Sequence, residues 1–191
     1  MWGGPRRGAA PSSFQFRHMS SWKQNFYLLL AVEIVALVGF QAVHPFLPYY
    51  IQQFGVTELS EALIWVGYME TGGGLAMAIC APVWGYLADR FGPKPMVVRS
   101  MVGGGMAVLL MSHVTTLEQL FAVRVFHGIM AGSVTACVIL VSKTTPKSEL
   151  GYAMGMMQGA FMLGASMGPL VGGPVIEHWG FRNSFVLAGA T

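Results

Sequence analysis

The sequence is poor in charged residues. Only 10% of its 191 residues are charged, whereas soluble domains usually carry about a quarter. This shortage argues against a globule that faces water on all sides. Cysteine is also scarce: Cys80 and Cys137 are the two present, far apart in apolar stretches, which argues against a disulfide framework or a thiolate metal site. Asp89 is the only aspartate in the chain.

Other missing features limit the chemistry. The sequence has no phosphate-binding loop, dinucleotide fingerprint or metal-binding cluster, so it predicts neither a cofactor nor a metal site. Residues 164–168 match the G-x-S-x-G motif of hydrolases, but they lie inside a long apolar block, without the strand–turn–helix context that this motif requires. The basic residues are divided among separate segments, which disfavours a nucleic-acid surface. We therefore expect a protein that is not an enzyme.

Long apolar blocks dominate what is present. A helix needs about 20 mostly apolar residues to cross a bilayer, and five blocks meet this requirement. We predict these helices at about residues 26–46, 62–86, 96–112, 120–141 and 153–176. A sixth block begins at Ser184 and reaches only Thr191, so we expect it to be cut off within a helix. The prediction is an all-α membrane bundle over residues 22–191.

The segment before the first block, residues 1–21, contains several Gly, Pro and Ser residues. We predict a flexible cytoplasmic tail there, in which Met19 offers an alternative start. Nine of the eleven Lys and Arg residues lie in this segment, just before the first block, or around the connections after the second and fourth blocks. Because cytoplasmic loops are enriched in Lys and Arg, we expect a cytoplasmic N-terminus and a location in the cell (inner) membrane.

Ionisable side chains inside the apolar blocks are costly and are therefore functional candidates by default. Four of them stand out: Glu33, Glu70, Arg124 and His127. A carboxyl group in a low-dielectric site can take up and release a proton as its surroundings change, so we predict proton coupling at these residues. For Glu70 the alternative is a static ion pair with Arg124, which lies at a similar depth. His44, near a helix end, is expected to be an interfacial residue.

Glycines recur every four residues on two faces of the fifth block. One row contains Gly164, Gly168 and Gly172, and the other contains Gly151, Gly155 and Gly159. Such spacing lets helix backbones approach closely. Pro169 lies in the same block and removes a backbone donor, which should bend the helix. Plain packing is the alternative explanation of both rows.

Three segments resemble motifs of the major facilitator superfamily. Residues 85–94 resemble its G-x-L-a-D-R-x-G-R-K loop, with Pro93 where a basic residue is usual, and residues 124–128 resemble its fourth-helix R-x-x-q-G motif, with His127 in place of Gln. The fifth block resembles the superfamily's antiporter motif at Gly155, Gly164, Gly168, Pro169, Gly172 and Gly173. With residues 45–48 ending the first helix, the chain resembles the N-terminal half of a twelve-helix drug:proton antiporter of the bacterial multidrug-efflux branch.

This resemblance implies a fold and a function. The fold is an N-terminal six-helix bundle whose sixth helix is truncated. The function is secondary active transport, with export of lipophilic drugs in exchange for protons by alternating access. The implied partners are a drug-like small molecule, protons, the lipid bilayer and the C-terminal half of the transporter.

The resemblance also implies roles for individual residues. A conformational latch would lie at Gly85, Asp89, Arg90, Gly92 and Lys94. Arg124 would hold or steer the proton site, and the glycine–proline motif would let the fifth helix pivot against the partner half. We further expect adaptable apolar side chains at the substrate cavity; the candidates are Phe40, Met69 and Phe126.

Two alternatives stay open at this point. The first is a transporter of the same superfamily that carries a sugar or an organic acid; an anionic cargo would favour extra cationic residues, and helices one, two and four offer only Arg124. The second is a truncated membrane fragment or scaffold that transports nothing.

Overall fold

The computed structural model describes residues 13–190, and the regular structure found there is helical. The helices are α1 (Ser13–Val43), α2 (Leu47–Gln52), α3 (Leu59–Phe91), α4 (Pro93–Met111), α5 (Leu117–Met130), α6 (Ser133–Thr144) and α7 (Leu150–Ala190), with a 3₁₀ turn at His44–Phe46. Five segments are long and apolar enough to cross a membrane: Trp22–Gln52, Leu59–Phe91, Pro93–Met111, Leu117–Thr144 and Leu150–Ala190. The predicted all-α membrane bundle is confirmed.

The first span is longer than predicted at both ends. Neither Gly nor Pro occurs between Ser13 and Val38, and α1 already begins at Ser13. Residues 13–21 of the predicted flexible tail are therefore helical, and residues 1–12 lie outside the described residues. At the other end, Pro45 and Pro48 each stand in the first turn of a new helix, where a missing N–H costs little. The span thus continues to Gln52 instead of ending at residues 45–49.

The fourth span is interrupted, although the sequence predicted one continuous helix over residues 120–141. α5 ends at Met130, Ala131 is extended with ψ 170°, Gly132 has φ 111°, and α6 begins at Ser133. Glycine adopts a positive φ at little cost, and Gly/Ser pairs are common sites of sharp kinks. We call Ala131–Gly132 the interruption.

The long helix α7 contains a kink at Gly180, where φ is 76° and ψ is 169°. Residues 150–179 form the fifth span, and residues 181–190 begin the sixth, earlier than the predicted start at Ser184. The sixth segment packs closely on α4: a Cβ atom added to Gly189 would lie 2.8 Å from the carbonyl oxygen of Gly105.

The row of Gly164, Gly168 and Gly172 packs against α1. A Cβ atom on Gly164 would lie 2.5 Å from Cβ of Leu37, and one on Gly172 would overlap the Ala42 carbonyl. The neighbour of this row in the described structure is therefore α1 of the same chain, and a pivot of the fifth helix against the partner half stays a prediction. Because an added Cβ atom would collide with α1 at these positions, only glycine lets the two backbones approach so closely.

The second glycine row, Gly151, Gly155 and Gly159, is exposed on α7. Nothing in the described structure lies within 4 Å of a Cβ atom added to any of the three. Pro169 is half-buried inside α7, and a Cβ atom on Gly173 would make an ordinary contact with Phe46 at 3.6 Å. The two rows thus face different surroundings.

The buried side chains form two clusters at opposite ends of the bundle. The cluster at the Gly55 end contains Val43, Leu47, Tyr50, Ile51, Val56, Ala62, Met69, Val108, Met111, Val114, Leu120 and Phe185. The cluster at the Gly92 end contains Trp22, Phe26, Leu30, Val97, Ala136, Cys137, Val141, Ala153, Met157 and Ala160. Large apolar side chains remain uncovered elsewhere, with Ile79 74% and Leu170 75% exposed. Lipid or further protein must cover such surfaces.

Candidate functional site

The Glu70 cluster joins the end of α1, α3 and α5. The Glu70 carboxylate accepts a hydrogen bond from the Arg124 guanidinium, and Nε2 of His44 lies 3.1 Å from the same carboxylate oxygen. The same His44 nitrogen lies 3.2 Å from Nη2 of Arg124. Arg124 is 6% exposed, whereas the Glu70 side chain is 47% exposed. The ion pair that was the alternative for Glu70 is present in this structure.

His44 stands between an anion and a cation through one nitrogen atom. With a proton on Nε2 it donates to Glu70, and without one it accepts from Arg124. His44 therefore contacts both members of the ion pair, a role that its expected interfacial position did not include. The Phe40 ring extends this cluster: it lies 5.1 Å from the His44 ring and stacks on His127 at 4.9 Å with an interplanar angle of 5°.

The Glu33 cluster joins α1 to the beginning of α6. Glu33 is 1% exposed. Its carboxyl oxygens accept hydrogen bonds from Oγ of Ser133 at 3.4 Å and from Sγ of Cys137 at 3.3 Å. Ser133 is the first residue of α6, so the carboxyl lies near the positive end of that helix dipole. Within residues 22–190, no cation forms an ion pair with Glu33.

A cavity of about 360 Å³ borders both clusters. Its polar lining residues are Gln41, His44, Ser100, His127 and Ser133, and its aromatic ones are Phe40 and Phe161. His44 belongs to the Glu70 cluster and Ser133 to the Glu33 cluster, so a molecule in the cavity can contact members of both. The lining that the structure describes contains neither Lys nor Arg.

The three expected cavity residues have different positions. Phe40 lines the cavity. Met69 is fully buried in the cluster at the Gly55 end, because its position on α3 faces α5, and this corrects the expectation. Phe126 is half-buried and lies outside the cavity lining.

The residues of the expected latch lie around the turn between α3 and α4. Gly92 closes α3 with φ 86°, a conformation that favours glycine. Asp89 and Arg90 are exposed at the end of α3, next to this turn, and Lys94 is exposed in the first turn of α4. Gly85 is exposed one turn earlier, and nothing in the described structure lies within 4 Å of a Cβ atom added there. In the described part of the chain, Asp89 forms no ion pair.

The carbonyl groups at the interruption are held by side chains from α3 and α4. Nε1 of Trp84 donates to the Ile129 carbonyl at 2.8 Å. The Arg99 guanidinium donates to the carbonyls of Met130 at 3.2 Å and Ala131 at 3.3 Å, and lies 3.8 Å from the Trp84 ring centroid. An unpaired backbone group in hydrocarbon costs several kcal/mol, so these bonds make the interruption tolerable.

Sequence reasoning missed several of these residues. Arg99 contributes to the excess of Lys and Arg around the connection after the second block, although it lies within the third apolar block, and charge counting does not reveal its contacts. Ser133 and Cys137 were not singled out, but their spacing of four places both on one face of a helix. Among the described residues, no group of three His, Cys, Asp or Glu side chains is placed to hold a metal ion.

The chain is similar to a known protein family and to curated multidrug resistance proteins. The family model of the Major Facilitator Superfamily matches residues 29–191. "Multidrug resistance protein MdtG" of Klebsiella pneumoniae (strain 342) is 34% identical over 170 residues, covering 89% of this chain and 41% of that protein. MdtG of Proteus mirabilis (strain HI4320) is 32% identical over 171 residues, covering 90% and 42%.

A solved structure shares the fold. The crystal structure of the human organic anion transporter MFSD10 (TETRAN) matches with a TM-score of 0.69 at 19% identity, covering 88% of this chain and 45% of that one. This chain therefore spans less than half the length of the relatives that it matches. The family match includes every residue of both acid clusters and confirms the superfamily that the motifs predicted. The chain belongs to the major facilitator superfamily.

Proposed function

We propose that the chain forms the N-terminal half of a secondary active transporter that exports lipophilic drugs in exchange for protons. The observation that carries this proposal is the cavity lined by His44, which contacts the paired Glu70, and by Ser133, which donates to the buried Glu33. The curated relatives described above are named multidrug resistance proteins, which supports a drug as cargo. Transporters of this architecture move by rocking two halves around a central site.

Glu33 is the proposed proton carrier. It is buried, and none of the described cations pairs with it, so its carboxyl group can take up a proton without first breaking an ion pair. The added proton forms an O–H bond on one carboxyl oxygen and leaves to water when the cavity opens to the other side. Glu70 has a different proposed role, because Arg124 holds it and it would keep α3 and α5 together during this cycle.

The residues around Gly92 are the proposed latch to the C-terminal half. The exposed Asp89 carboxylate supports this role, since a helix N-terminus of the other half would be a favourable partner for it.

The proposed orientation places the N-terminus and the Gly92 end of the bundle on the cytoplasmic side of the inner membrane. The excess of Lys and Arg at that end supports this orientation.

The decisive experiment compares two neutral substitutions in the full-length transporter. Glu33→Gln should abolish drug export against a gradient but retain exchange of drug for drug, because the amide mimics a permanently protonated carboxyl. Glu177→Gln, at an exposed position outside both clusters, is the matched control and should export normally. Uphill export by Glu33→Gln at the parental rate would refute the proposed role of Glu33.

The cargo alternatives are tested separately. An organic acid would need a cationic contact, and the described cavity lining offers neither Lys nor Arg, so we expect lipophilic cations or neutral drugs to compete for transport better than organic acids or sugars.

A scaffold that transports nothing is tested by the intact mass in the native membrane. A species at roughly twice the 20.6 kDa of this chain is expected for a two-half transporter, whereas 20.6 kDa would favour the scaffold.

A further inference from the structure

The two ends of the interruption are held by different helices. In a continuous helix the carbonyls of residues 129–131 would accept from the N–H groups of residues 133–135. Here the carbonyl end is bonded instead to Trp84 of α3 and Arg99 of α4. On the other side, the first turns of α6 carry the Ser133 and Cys137 donors to Glu33 of α1.

The interruption also separates the two acid clusters. Arg124 lies on α5, before the interruption, whereas Ser133 and Cys137 lie on α6, after it. The path of the chain at Ala131 and Gly132 therefore decides how α6 stands relative to Glu33 while Arg124 stays on Glu70. Nothing in the described structure lies within 4 Å of a Cβ atom added to Gly132, so its φ of 111° is the sole local obstacle to another residue there.

We propose that Arg99 is a positioning residue for Glu33. By holding the carbonyl end of α5, Arg99 keeps the fourth span interrupted and so keeps Ser133 and Cys137 on the Glu33 carboxyl. When Arg99 is absent, the freed carbonyls recover their partners most readily by pairing with the N–H groups of α6. The span then becomes continuous, α6 changes its direction, and both donors leave Glu33.

A small pocket places Arg99 near the loop of the proposed latch. Its volume is about 140 Å³, and its lining includes Trp84, Gly85, Pro93, Arg99 and Gly132. The Gly92 turn and the interruption thus share a pocket. A movement of that turn would therefore displace Arg99 and Trp84 before it changed the surroundings of Glu33.

The test uses Cys137 as the reporter, because it is fully buried and bonded to Glu33. In the full-length protein with Cys137 as its only cysteine, the rate of alkylation by N-ethylmaleimide is measured in native membranes. We expect Arg99→Met to raise this rate by about tenfold or more, as the loss of one charge-assisted hydrogen bond would shift a conformational equilibrium. Arg99→Lys should lie between Arg99→Met and the parent.

Two further variants keep the test decisive. Gly132→Ala should also accelerate alkylation, because alanine disfavours the positive φ of the interruption. Arg182→Met is the matched control: this arginine donates to the Val114 carbonyl at 3.4 Å, at the opposite end of the bundle, and its loss should leave the rate unchanged. A rate within twofold of the parent for both Arg99→Met and Gly132→Ala overturns the proposal, as does equal acceleration by Arg182→Met.

This inference rests on the proposed role of Glu33 for its functional meaning, but the two can fail separately. Cys137 alkylation reports the position of α6 and requires no transport. Unchanged export by Glu33→Gln together with accelerated alkylation in Arg99→Met would reject the proton carrier and retain the positioning contact. Lost export by Glu33→Gln with unchanged alkylation would do the reverse.

Discussion

Glu70 and Glu33 are both carboxyl groups inside apolar spans, yet the bundle treats them in opposite ways. Glu70 keeps about half of its side chain exposed and is bound by Arg124 and His44. Glu33 is almost completely buried and receives two hydrogen bonds from uncharged side chains. In the part of the chain that the structure describes, the exposed acid thus has the cation and the buried acid has none.

This difference predicts that the two acids respond differently when they are neutralised. Removing one member of a buried ion pair leaves the other uncompensated, which is strongly destabilising. A carboxyl whose hydrogen-bond donors are uncharged leaves no unpaired cation behind when it is neutralised. The comparison therefore predicts that neutralising the half-exposed Glu70 costs more stability than neutralising the buried Glu33.

The largest effect is expected from Glu70→Gln. The substitution leaves the buried Arg124 guanidinium without its anion. We expect the full-length protein to lose about 3 kcal/mol of stability, the lower limit for broken buried pairs, because Glu70 itself is half exposed. Unfolding in mixed detergent–SDS micelles measures this loss. The double variant Glu70→Gln/Arg124→Met should recover part of it, because it removes the stranded charge; equal losses in the single and double variants would contradict the ion-pair explanation.

A smaller effect is expected when the donors to Glu33 are removed. Ser133→Ala combined with Cys137→Ala leaves the buried carboxyl without its two hydrogen-bond donors, at a cost of about 1–3 kcal/mol. The same unfolding assay measures it. In a Glu33→Leu background the double substitution should cost clearly less, since no polar group is left unsatisfied; an unchanged cost would mean that the loss comes from packing alone.

The smallest effect is expected from Glu33→Gln. The amide keeps the volume of the side chain; its oxygen can accept from one of Ser133 and Cys137, and its NH₂ group can donate to the other. No cation is stranded, so the stability change should stay below about 1 kcal/mol. Unfolding of this variant beside Glu70→Gln gives the comparison directly. A larger loss for Glu33→Gln than for Glu70→Gln would reverse the assignment of the two acids.

Much of the fold could be predicted from the sequence. The lengths of the apolar blocks predicted five spans and the beginning of a sixth, because crossing a bilayer requires a fixed length of apolar helix whatever its neighbours are. The errors lie at the ends of the spans. α3 runs from Leu59 to Phe91, beyond the predicted 62–86, because charged side chains such as Asp89 and Arg90 continue a helix outside the apolar region at no cost in burial.

The candidate site was predicted in part. Glu33, Glu70, Arg124 and His127 were identified because ionisable residues in apolar blocks are conspicuous in any sequence. Their partners were not, apart from the pairing of Glu70 with Arg124. The role of His44 depends on the 3₁₀ turn at His44–Phe46, and that turn directs the ring toward two residues on other helices.

A membrane bundle of the major facilitator superfamily could be predicted from the sequence alone, since hydropathy and short motifs are properties of local sequence. The packing of Gly164, Gly168 and Gly172 against α1 and the interruption of the fourth span became visible only in the folded bundle. Both depend on contacts between distant segments. A glycine row reveals a close approach but not its partner, and an interruption inside a membrane is stable only where other helices supply donors for the freed carbonyls, as Trp84 and Arg99 do here.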